Sequence, residues 1–541
     1  MELSPTLSLT IAMSLVVAFV AVLLSSVTAS SSRGCRRPGN KQLNLPPGPR
    51  GWPVFGSLGA LTGAAPQHRA LAALAARHGP LMHLRLGSFD AVVASSADAA
   101  RLVLKTHDAA FADRPLTTAG EFIMYNYKGI LHTPYGAYWR MARKLCATEL
   151  FSPRRVDSYE RIRVEEVGAL VRDVFGMGGV EFAVREHVAG ATLRNVLRMS
   201  VGERWSAAYG SAEGEAFRRT LDEAFEVAGV VSNVGDWVPL LGWLDVQGYR
   251  RRMARLSKVY DRFLEQIIVE HEADNNKPTS SASSCECDLV DVLLQLSEEQ
   301  AAAGVEPDAR LTRDGVKAFV QDIIAGGTES SAVTVEWAMA ELLRRPESLS
   351  SAAAELDRVV GRSRWVTERD LPDLTYIDAI IKETMRLHPV GPLLVPHHAR
   401  EDTSVAAGYD VPAGARVLVN VWAIARDPES WPDRPDAFVP ERFVSGGGAE
   451  GVDVRGQHYE LLPFGSGRRV CPAVNLAMKV VALALASLLQ GFAWRLPDGV
   501  AAEDVSMEEF VGLSTRKKAP LVAVAEPRLP AHLYAEDSAA A

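Results

Sequence analysis

The stretch from Leu7 to Val27 is almost wholly apolar and uncharged, which restricts the environments in which it can lie. A run of about twenty such residues is long enough to cross a bilayer as a helix. Four basic residues follow it: Arg33, Arg36, Arg37 and Lys41. Positive charge after a span favours the cytosolic side for the rest of the chain. We therefore expect residues 1–30 to form a signal-anchor transmembrane helix.

A cleaved secretory signal peptide is the alternative interpretation of this stretch. The tripeptide Val27-Thr28-Ala29 resembles a small-residue cleavage site, but the basic region that begins such peptides is missing. Residues 31–55 are expected to form a basic flank and a stiff, extended hinge, because proline favours the polyproline II conformation. The hinge carries four prolines: Pro46, Pro47, Pro49 and Pro53.

Bulk composition excludes some classes of function. A formal net charge of −8 over 541 residues leaves no basic excess for neutralising phosphates, so we expect no nucleic-acid partner. The five cysteines are odd in number and scattered, which fits free thiols in a reducing compartment. The Cys285-x-Cys287 pair lacks a nearby second half for a metal site. Length and composition leave the number of domains open.

One cysteine has a distinctive environment, in the decapeptide PFGSGRRVCP that ends at Pro472. A helix N-terminus favours a thiolate, the form in which cysteine binds metals, and proline is common at the first helical position. Gly465 and Gly467 let the backbone turn tightly and approach a flat ligand. Arg469 is suited to an anionic group. The alternative is a buried apolar Cys471 after a glycine turn.

The pattern Phe464-x-x-Gly467-x-Arg469-x-Cys471 resembles the haem-binding loop of the cytochrome P-450 superfamily. This resemblance implies that haem b is the cofactor and that Cys471 is the axial ligand of its iron. One departure is Ala473, where the superfamily usually has glycine. Because alanine is small, we expect the close approach to haem to survive.

Two further segments carry the same resemblance. Glu383 and Arg386 lie one helical turn apart in YIDAIIKETMRLHP, a spacing that by itself indicates a surface ion pair. Some fifty residues later comes FVPERF, which contains Arg442. Together they resemble the Glu-x-x-Arg and Pro-Glu-Arg-Phe elements of the superfamily. The resemblance implies a buried network of Glu383, Arg386 and Arg442 behind the haem.

A long helix is predicted from Thr312, which is suited to its N-cap, to Pro346. Gly326 and Gly327 interrupt its middle, and the alternative is two shorter helices that meet there. The resemblance instead implies a groove for dioxygen at these glycines, followed by an acid–alcohol proton relay. Glu329 and Ser330 occupy the two relay positions, with serine where the superfamily more often has threonine.

The remaining cofactor contacts are also implied by resemblance. Trp139 and Arg143, four residues apart in YGAYWRMARKL, match a pair that contacts the haem propionates. An ordinary tryptophan–arginine stack is the alternative. His397 stands where many members have an arginine toward the other propionate. Four basic residues are expected to meet an acidic reductase on the cysteine side: Arg140, Lys144, Arg468 and Lys479.

The substrate pocket implied by the resemblance is mostly apolar, which favours a small lipophilic or aromatic substrate. It is formed by four segments: 114–128, 323–327, 390–395 and 510–514. Its expected lining residues are Phe122, Ile323, Leu393 and Phe510. Either phenylalanine alone is equally suited to filling the core.

The expected fold is mainly α with small β-sheets, the cytochrome P-450 fold, with haem between the long central helix and the helix after the cysteine loop. Residues 56–541 are expected to form one haem-thiolate domain. The local pattern predicts a β-hairpin over 81–95, a strand over 416–424 and a polar loop over 271–288.

The expected activity is that of a monooxygenase, which takes O2 and receives NADPH electrons from a separate NADPH-cytochrome reductase. No flavin or dinucleotide-binding fingerprint is present in the sequence. The resemblance extends to the plant A-type branch, in particular its family 92, and favours hydroxylation of a flavonoid or phenolic ring. The alternatives are a terpenoid or steroid hydroxylase, a rearranging haem-thiolate enzyme, and a non-catalytic membrane carrier of haem or ligand.

The anchor and the resemblance together predict where the protein lies in the cell. We expect a single-pass protein in contact with membrane lipid, in the endoplasmic reticulum membrane. Its catalytic domain is expected in the cytosol.

Overall fold

The computed structural model describes residues 43–535, except for residues 62, 64, 208–218, 221–222, 225, 230–232 and 276–287. The predicted anchor over residues 1–30 lies outside the described residues, as do Cys35, Cys285 and Cys287. The described residues are mainly helical with small sheets, as predicted.

The α-helices are numbered in chain order. They are α1 (Gln67–His78), α2 (Ala97–Arg101), α3 (Thr118–Phe122), α4 (Ala137–Leu145), α5 (Pro153–Ser158), α6 (Glu160–Gly176), α7 (Val184–Ala207), α8 (Val234–Trp237), α9 (Pro239–Gly242), α10 (Tyr249–Asn275), α11 (Leu289–Ala302), α12 (Arg313–Leu343), α13 (Pro346–Val359), α14 (Thr375–Leu387), α15 (Val421–Ile424), α16 (Val474–Gly491) and α17 (Ala531–Ala535).

Within the described residues, the strands form four small sheets. They are β1 (Leu81–Leu86), β2 (Phe89–Ala94), β3 (Phe182–Ala183), β4 (His397–His398), β5 (Thr403–Ser404), β6 (Asp410–Val411), β7 (Arg416–Val419), β8 (Phe492–Arg495), β9 (Glu509–Val511), β10 (Thr515–Lys517) and β11 (Val522–Pro527). The sheet orders are β1-β2-β7-β4, β3-β11-β8, β9-β10 and β5-β6. The predicted hairpin is confirmed, because β1 pairs antiparallel with β2.

The chain divides into two compact units. The first contains the described parts of 1–115, 231–247 and 396–420, and the second contains those of 116–230, 248–395 and 421–541. The first unit includes the four-stranded sheet. The second includes α12, α14 and α16, together with nearly all of the residues proposed for the site.

The central helix α12 is continuous through both of its glycines, so the alternative of two shorter helices is wrong. It begins where the sequence predicts, because the Thr312 side chain accepts a hydrogen bond from the Gly315 amide. Its C-terminal half packs with α16 in one apolar core. Burial of each large aliphatic side chain there contributes roughly 1.5–3 kcal/mol.

The helix that follows the cysteine loop, α16, begins at Val474, with Ala473 as its N-cap. Pro472 is therefore not the first helical residue, and the sequence-based start was wrong by two positions. Within the described part of the chain, α16 is the only helix long and apolar enough to cross a bilayer. It lies mostly inside the protein, where it forms part of the core.

Two other predicted elements differ in extent. The stretch 416–424 is a strand only as far as Val419, and residues 421–424 form the short helix α15. The predicted loop over 271–288 begins later, because α10 continues to Asn275. In both places, tertiary contacts decided between conformations that apolar or polar composition left open.

The described part of the proline-rich hinge is bound to the first unit and does not stand away from it as a spacer. The Pro47 carbonyl accepts a hydrogen bond from the His83 amide of β1 at 3.0 Å. Asn44 donates its backbone N–H to Asp410 at 3.0 Å. A Cβ at Gly48 would overlap the His83 carbonyl oxygen, so only glycine fits there.

Candidate active site

The cysteine loop is a closed, hydrogen-bonded turn. The Cys471 amide donates to the Phe464 carbonyl at 2.9 Å. Gly465 and Gly467 have φ angles of 69° and 66°, in the left-handed region that favours glycine. Ser466 donates its hydroxyl to the Gly456 carbonyl at 2.6 Å. The loop conformation is therefore fixed by bonds within the loop and to the segment before it.

Two arginines and a tryptophan meet beside the loop. Arg143 donates to the Val470 carbonyl at 2.8 Å, and Arg469 donates to the Thr133 carbonyl at 2.6 Å. The Arg469 guanidinium lies 5.1 Å from the centre of the Trp139 ring. Within the described residues, the buried indole N–H of Trp139 has no hydrogen-bond acceptor. This cluster offers hydrogen-bond donors and positive charge to an anionic group.

The Glu383 carboxylate lies at the centre of a fully buried network. Arg386 donates to both of its oxygens, at 2.7 and 2.8 Å. Arg442 donates to Oε1 at 3.1 Å, and the Val439 amide donates to the same oxygen at 2.8 Å. The structure thus joins the three residues predicted by resemblance and rules out an exposed pair. This arrangement leaves no carboxylate oxygen without a donor.

The two arginines of this network are satisfied as well. Arg386 donates to the backbone carbonyls of Ala425, Pro435 and Ala437. Its guanidinium also lies 5.0 Å from the centre of the Trp431 ring. Buried charges are costly unless every donor finds a partner, and here the loop carbonyls supply the partners. No local sequence pattern indicates Trp431.

Gly326 and Gly327 have different surroundings on the central helix. A Cβ at Gly327 would lie 2.7 Å from Cγ2 of Val196 on α7, which is too close for a real side chain. A Cβ at Gly326 would meet no described atom within 4 Å. One glycine therefore allows helix packing, while the other borders open space.

The expected relay residues follow these glycines. Ser330 donates its hydroxyl to the Gly326 carbonyl at 2.7 Å. Oε1 of Glu329 lies 3.8 Å from Nε of Arg516, a residue that the sequence did not indicate. Hydroxyl and carboxylate thus lie one residue apart beside the open space at Gly326.

The expected pocket residues differ in their exposure. Ile323 is buried, and Phe510 is 37% exposed. Phe122 is half-buried, with the Arg250 guanidinium 5.1 Å from its ring centre. Leu393 is half-buried too, but its neighbour Leu394 makes the closer approach to the cysteine loop, 3.6 Å from the position of a Cβ at Gly465. Leu394 belongs to the expected pocket segment 390–395, although Leu393 was the residue singled out there.

His397 lies in β4 of the first unit and is buried. Its Nδ1 is 2.8 Å from the Phe111 carbonyl oxygen, to which a protonated Nδ1 donates. Its contact with a propionate stays a prediction.

The four basic residues expected to face a reductase are not equivalent. Arg140, Lys144 and Arg468 are exposed. The Lys479 ammonium instead pairs with Asp157 at 2.9 Å and with Glu368 at 2.7 Å. Its charge is therefore already paired within the protein, and its contact with a reductase stays a prediction.

A profile of the cytochrome P450 family matches residues 46–523. The chain belongs to the cytochrome P450 family. A solved zebrafish cytochrome P450, described as a structure with abiraterone, has a TM-score of 0.70 and 26% identity to this chain. The match covers 86% of this chain and 100% of the zebrafish chain.

Two relatives from Zea mays cover nearly the whole of this cytochrome P450. A trimethyltridecatetraene synthase is 72% identical over 93% of this chain and 92% of its own length. A dimethylnonatriene synthase is 69% identical over 99% of both chains. A flavonoid 3'-monooxygenase from Arabidopsis thaliana is 40% identical over 95% of this chain and 98% of its own length.

As a cytochrome P450, the protein is a haem monooxygenase that uses haem b and O2. It receives NADPH electrons through a reductase, and family membership also implies a small lipophilic substrate. The cluster beside the cysteine loop fits haem, because the unsatisfied indole N–H of Trp139 and the nearby guanidinium groups suit its carboxylates.

The cysteine also fits the iron of haem. Burial raises the pKa of the Cys471 thiol, and the Ala473 amide and Arg143 only partly offset this effect. A bound metal cation would stabilise the thiolate directly through its charge.

Proposed function

We propose that this cytochrome P450 oxidises an open-chain terpenoid. The observation that carries the proposal is the identity of 72% and 69% to two relatives whose names describe branched, open-chain polyene hydrocarbons. Methyl branches and several double bonds on a linear chain are typical of isoprenoid skeletons. The mostly apolar lining expected for the pocket suits such a substrate, because it offers burial and few hydrogen bonds.

The residues proposed to hold haem are those of the cysteine loop and its neighbouring cluster. Cys471 would ligate the iron, while Trp139, Arg143 and Arg469 would bind the propionates. When bound, haem supplies the chemistry that activates dioxygen. The network of Glu383, Arg386 and Arg442 would fix the backbone of the segment 425–437, since its arginines bond to carbonyls there, including those of Ala425 and Asp433.

Glu329 and Ser330 are proposed to move protons to the reacting oxygen. The Ser330 hydroxyl has the Gly326 carbonyl as acceptor, which holds it at the edge of the open space. Glu329, the adjacent residue, is placed to replace a proton that the hydroxyl gives up. Apolar residues such as Ile323 would exclude bulk water from this path.

Residues 56–541 are proposed to act as one catalytic domain in the cytosol. Residues 1–30 would anchor it in the endoplasmic reticulum membrane as a single span, with 31–55 as the hinge. Arg140, Lys144 and Arg468 would contact an acidic surface of NADPH-cytochrome reductase, which electrostatic attraction would speed.

Hydroxylation of a flavonoid ring is the second candidate. It is supported by the 40% identity to the flavonoid 3'-monooxygenase and by the assignment to the plant A-type branch. The sequence-based preference placed this substrate first. The higher identity of the two Zea mays relatives reverses the order.

The test uses microsomes that contain the full chain and a plant reductase, with NADPH and ¹⁸O2. Linear isoprenoid alcohols of fifteen and twenty carbons are compared with flavanones, first by the blue shift of the Soret band and then by products. We expect the linear alcohols to shift the band and to be consumed only with both NADPH and O2. Turnover of flavanones alone would establish the second candidate.

The remaining alternatives give different results in the same assay. A rearranging enzyme would consume substrate without NADPH, and a carrier would bind substrate without product. Cys471→Ser, which removes the thiolate, should abolish the long-wavelength band of the reduced, carbon-monoxide-treated protein and all turnover.

A further inference from the structure

Arg516 connects the expected pocket with the expected relay acid. It lies on β10 directly opposite Phe510 of β9 in the strand register. Its guanidinium is 4.7 Å from the centre of the Phe510 ring. Its Nε is 3.8 Å from Oε1 of Glu329 on the central helix. One side chain therefore lies near both a ring expected to line the pocket and the carboxylate proposed for the relay.

The backbone around Arg516 is firmly held. The Thr515 amide donates to the Val390 carbonyl at 2.8 Å. The Thr515 carbonyl accepts from the indole N–H of Trp337 at 3.2 Å. On the other side, the buried Lys517 ammonium donates to the Ser506 carbonyl. Between these bonded neighbours, the Arg516 side chain itself is 36% exposed.

The contact between Arg516 and Glu329 is weak enough to be exchanged. Its 3.8 Å separation exceeds hydrogen-bond length, and the two side chains are 36% and 21% exposed. Partly exposed pairs of this kind contribute about 0.2–1 kcal/mol, and a cation over an aromatic ring contributes a similar amount. A substrate that packs on the Phe510 ring gains comparable free energy, so binding can displace the guanidinium.

We propose that Arg516 is a positioning residue that holds Glu329 while the pocket is empty and releases it when substrate packs on Phe510. The inference rests on the proposed relay role of Glu329. A carboxylate beside a cation is a poorer proton source, because the pair favours its ionised form. Substrate would therefore switch on proton delivery, and NADPH would be spared when no substrate is present.

The test measures substrate-free NADPH oxidation by the full-length enzyme with its reductase, so that it does not depend on knowing the substrate. Arg516→Gln should raise this rate about two- to fivefold, the factor that corresponds to losing such a pair. Arg516→Lys, which keeps the charge, should oxidise NADPH without substrate at a rate close to that of the wild type. The carbon-monoxide band should be unchanged in both variants.

Lys518→Gln is the matched control, because it removes a positive charge from the same hairpin but from a pair with Glu508. It should leave substrate-free oxidation unchanged. A substrate-free rate in Arg516→Gln equal to that of Lys518→Gln would overturn the proposal. An equal rise of the rate in both variants would also overturn it, because the loss of any positive charge from the hairpin would then explain the effect.

A second experiment tests the link between the pocket and Arg516. Phe510→Leu should raise substrate-free NADPH oxidation in the wild-type background but not in Arg516→Gln, because the ring acts through the arginine. Additive effects would overturn the coupling. Binding is followed separately, by titrating farnesol, a linear fifteen-carbon alcohol, into the ferric enzyme and recording the blue shift of the Soret band.

Failure of the relay role is detected separately. If Glu329→Gln forms a normal amount of peroxide per NADPH, Glu329 does not deliver protons. That result would contradict both the proposed relay and the proposed role of Arg516. Normal relay behaviour with no farnesol shift would contradict only the proposed substrate.

Discussion

Two carboxylate–guanidinium contacts in this molecule have opposite characters. Around Glu383, two arginines donate at 2.7–3.1 Å inside a fully buried network, and backbone carbonyls accept their other hydrogens. Around Glu329, the Arg516 contact is 3.8 Å long and partly exposed. The first contact fixes a loop. The second contact contributes so little free energy that substrate binding is sufficient to break it.

The difference shows that a carboxylate–guanidinium pair can either hold a fixed structure or form a contact that is readily exchanged. In the buried network, loss of one partner leaves an uncompensated charge, so the geometry has one low-energy arrangement. In the exposed pair, water replaces either partner at little cost. Burial and the number of satisfied donors decide the role, not the residue types.

The largest expected effect comes from breaking the buried network. Glu383→Ala leaves Arg386 and Arg442 without their carboxylate and should cost about 3–5 kcal/mol of unfolding free energy. We expect haem-free protein, measured by the reduced carbon-monoxide spectrum and thermal unfolding. The control is Glu441→Ala, in the same Pro-Glu-Arg-Phe segment, whose exposed carboxylate accepts a hydrogen bond from the Tyr376 hydroxyl at 2.6 Å. Normal haem content in Glu383→Ala would contradict the framework role.

A smaller effect should distinguish the packed side of the central helix from its open side. Gly327→Ala places a methyl group 2.7 Å from Val196 and should cost about 1–3 kcal/mol by overpacking. Gly326→Ala meets open space, so the higher helix propensity of alanine should stabilise the protein by up to about 1 kcal/mol. Thermal unfolding of both variants measures the contrast. Equal destabilisation would show that the two glycines have the same role.

A substitution at the proposed relay should change how much peroxide is formed per NADPH and should leave the free energy of unfolding unchanged. Ser330→Ala removes a hydroxyl that is bonded to the Gly326 carbonyl. Peroxide formed per NADPH should increase about fivefold, which corresponds to one hydrogen bond of about 1 kcal/mol. The neighbouring Ser331→Ala serves as the control for loss of a nearby hydroxyl. Unchanged coupling in Ser330→Ala would exclude this hydroxyl from the relay.

A pH-dependent effect is expected from a pair that belongs to neither region. Burial alone lowers the pKa of His271, but hydrogen bonds to Asp288 and the Ile267 carbonyl outweigh it and raise the pKa to about 9. Since the folded pKa exceeds the ordinary 6.5, the stabilisation is complete below pH 6.5 and is lost as the pH rises through about 9. We therefore expect the free energy of unfolding to decrease over this window.

Unfolding measured from pH 6 to pH 10 checks this titration. His271→Asn should remove the pH dependence that belongs to the pair. An identical pH profile in the variant would show that other groups cause it.

Much of the fold could be predicted because the signals are local. Thr312 caps the central helix where the sequence places it, and alternating apolar residues predict the hairpin of β1 and β2. Boundaries were less certain. The cysteine-loop helix begins at Val474 and not at Pro472, since a proline that fits the first turn also fits the preceding turn.

The candidate site was predictable where its residues form short motifs. Cys471, Glu383 and Ser330 each stand in such a motif. Arg516 was missed because nothing local marks it. The pairing of Lys479 with Glu368 was missed for the same reason, because the two residues lie 111 positions apart in the sequence.

The sequence alone determined which chemical groups are available and in what order: a thiol after a glycine turn, an acid beside an alcohol, and a carboxylate one turn from a guanidinium. These depend on backbone preferences over a few residues, which any chain with that sequence shares. Only the tertiary structure decided which glycine is packed, which lysine is neutralised and which arginine meets Glu329. Those outcomes depend on distant segments approaching within a few ångströms, and local sequence does not encode that approach.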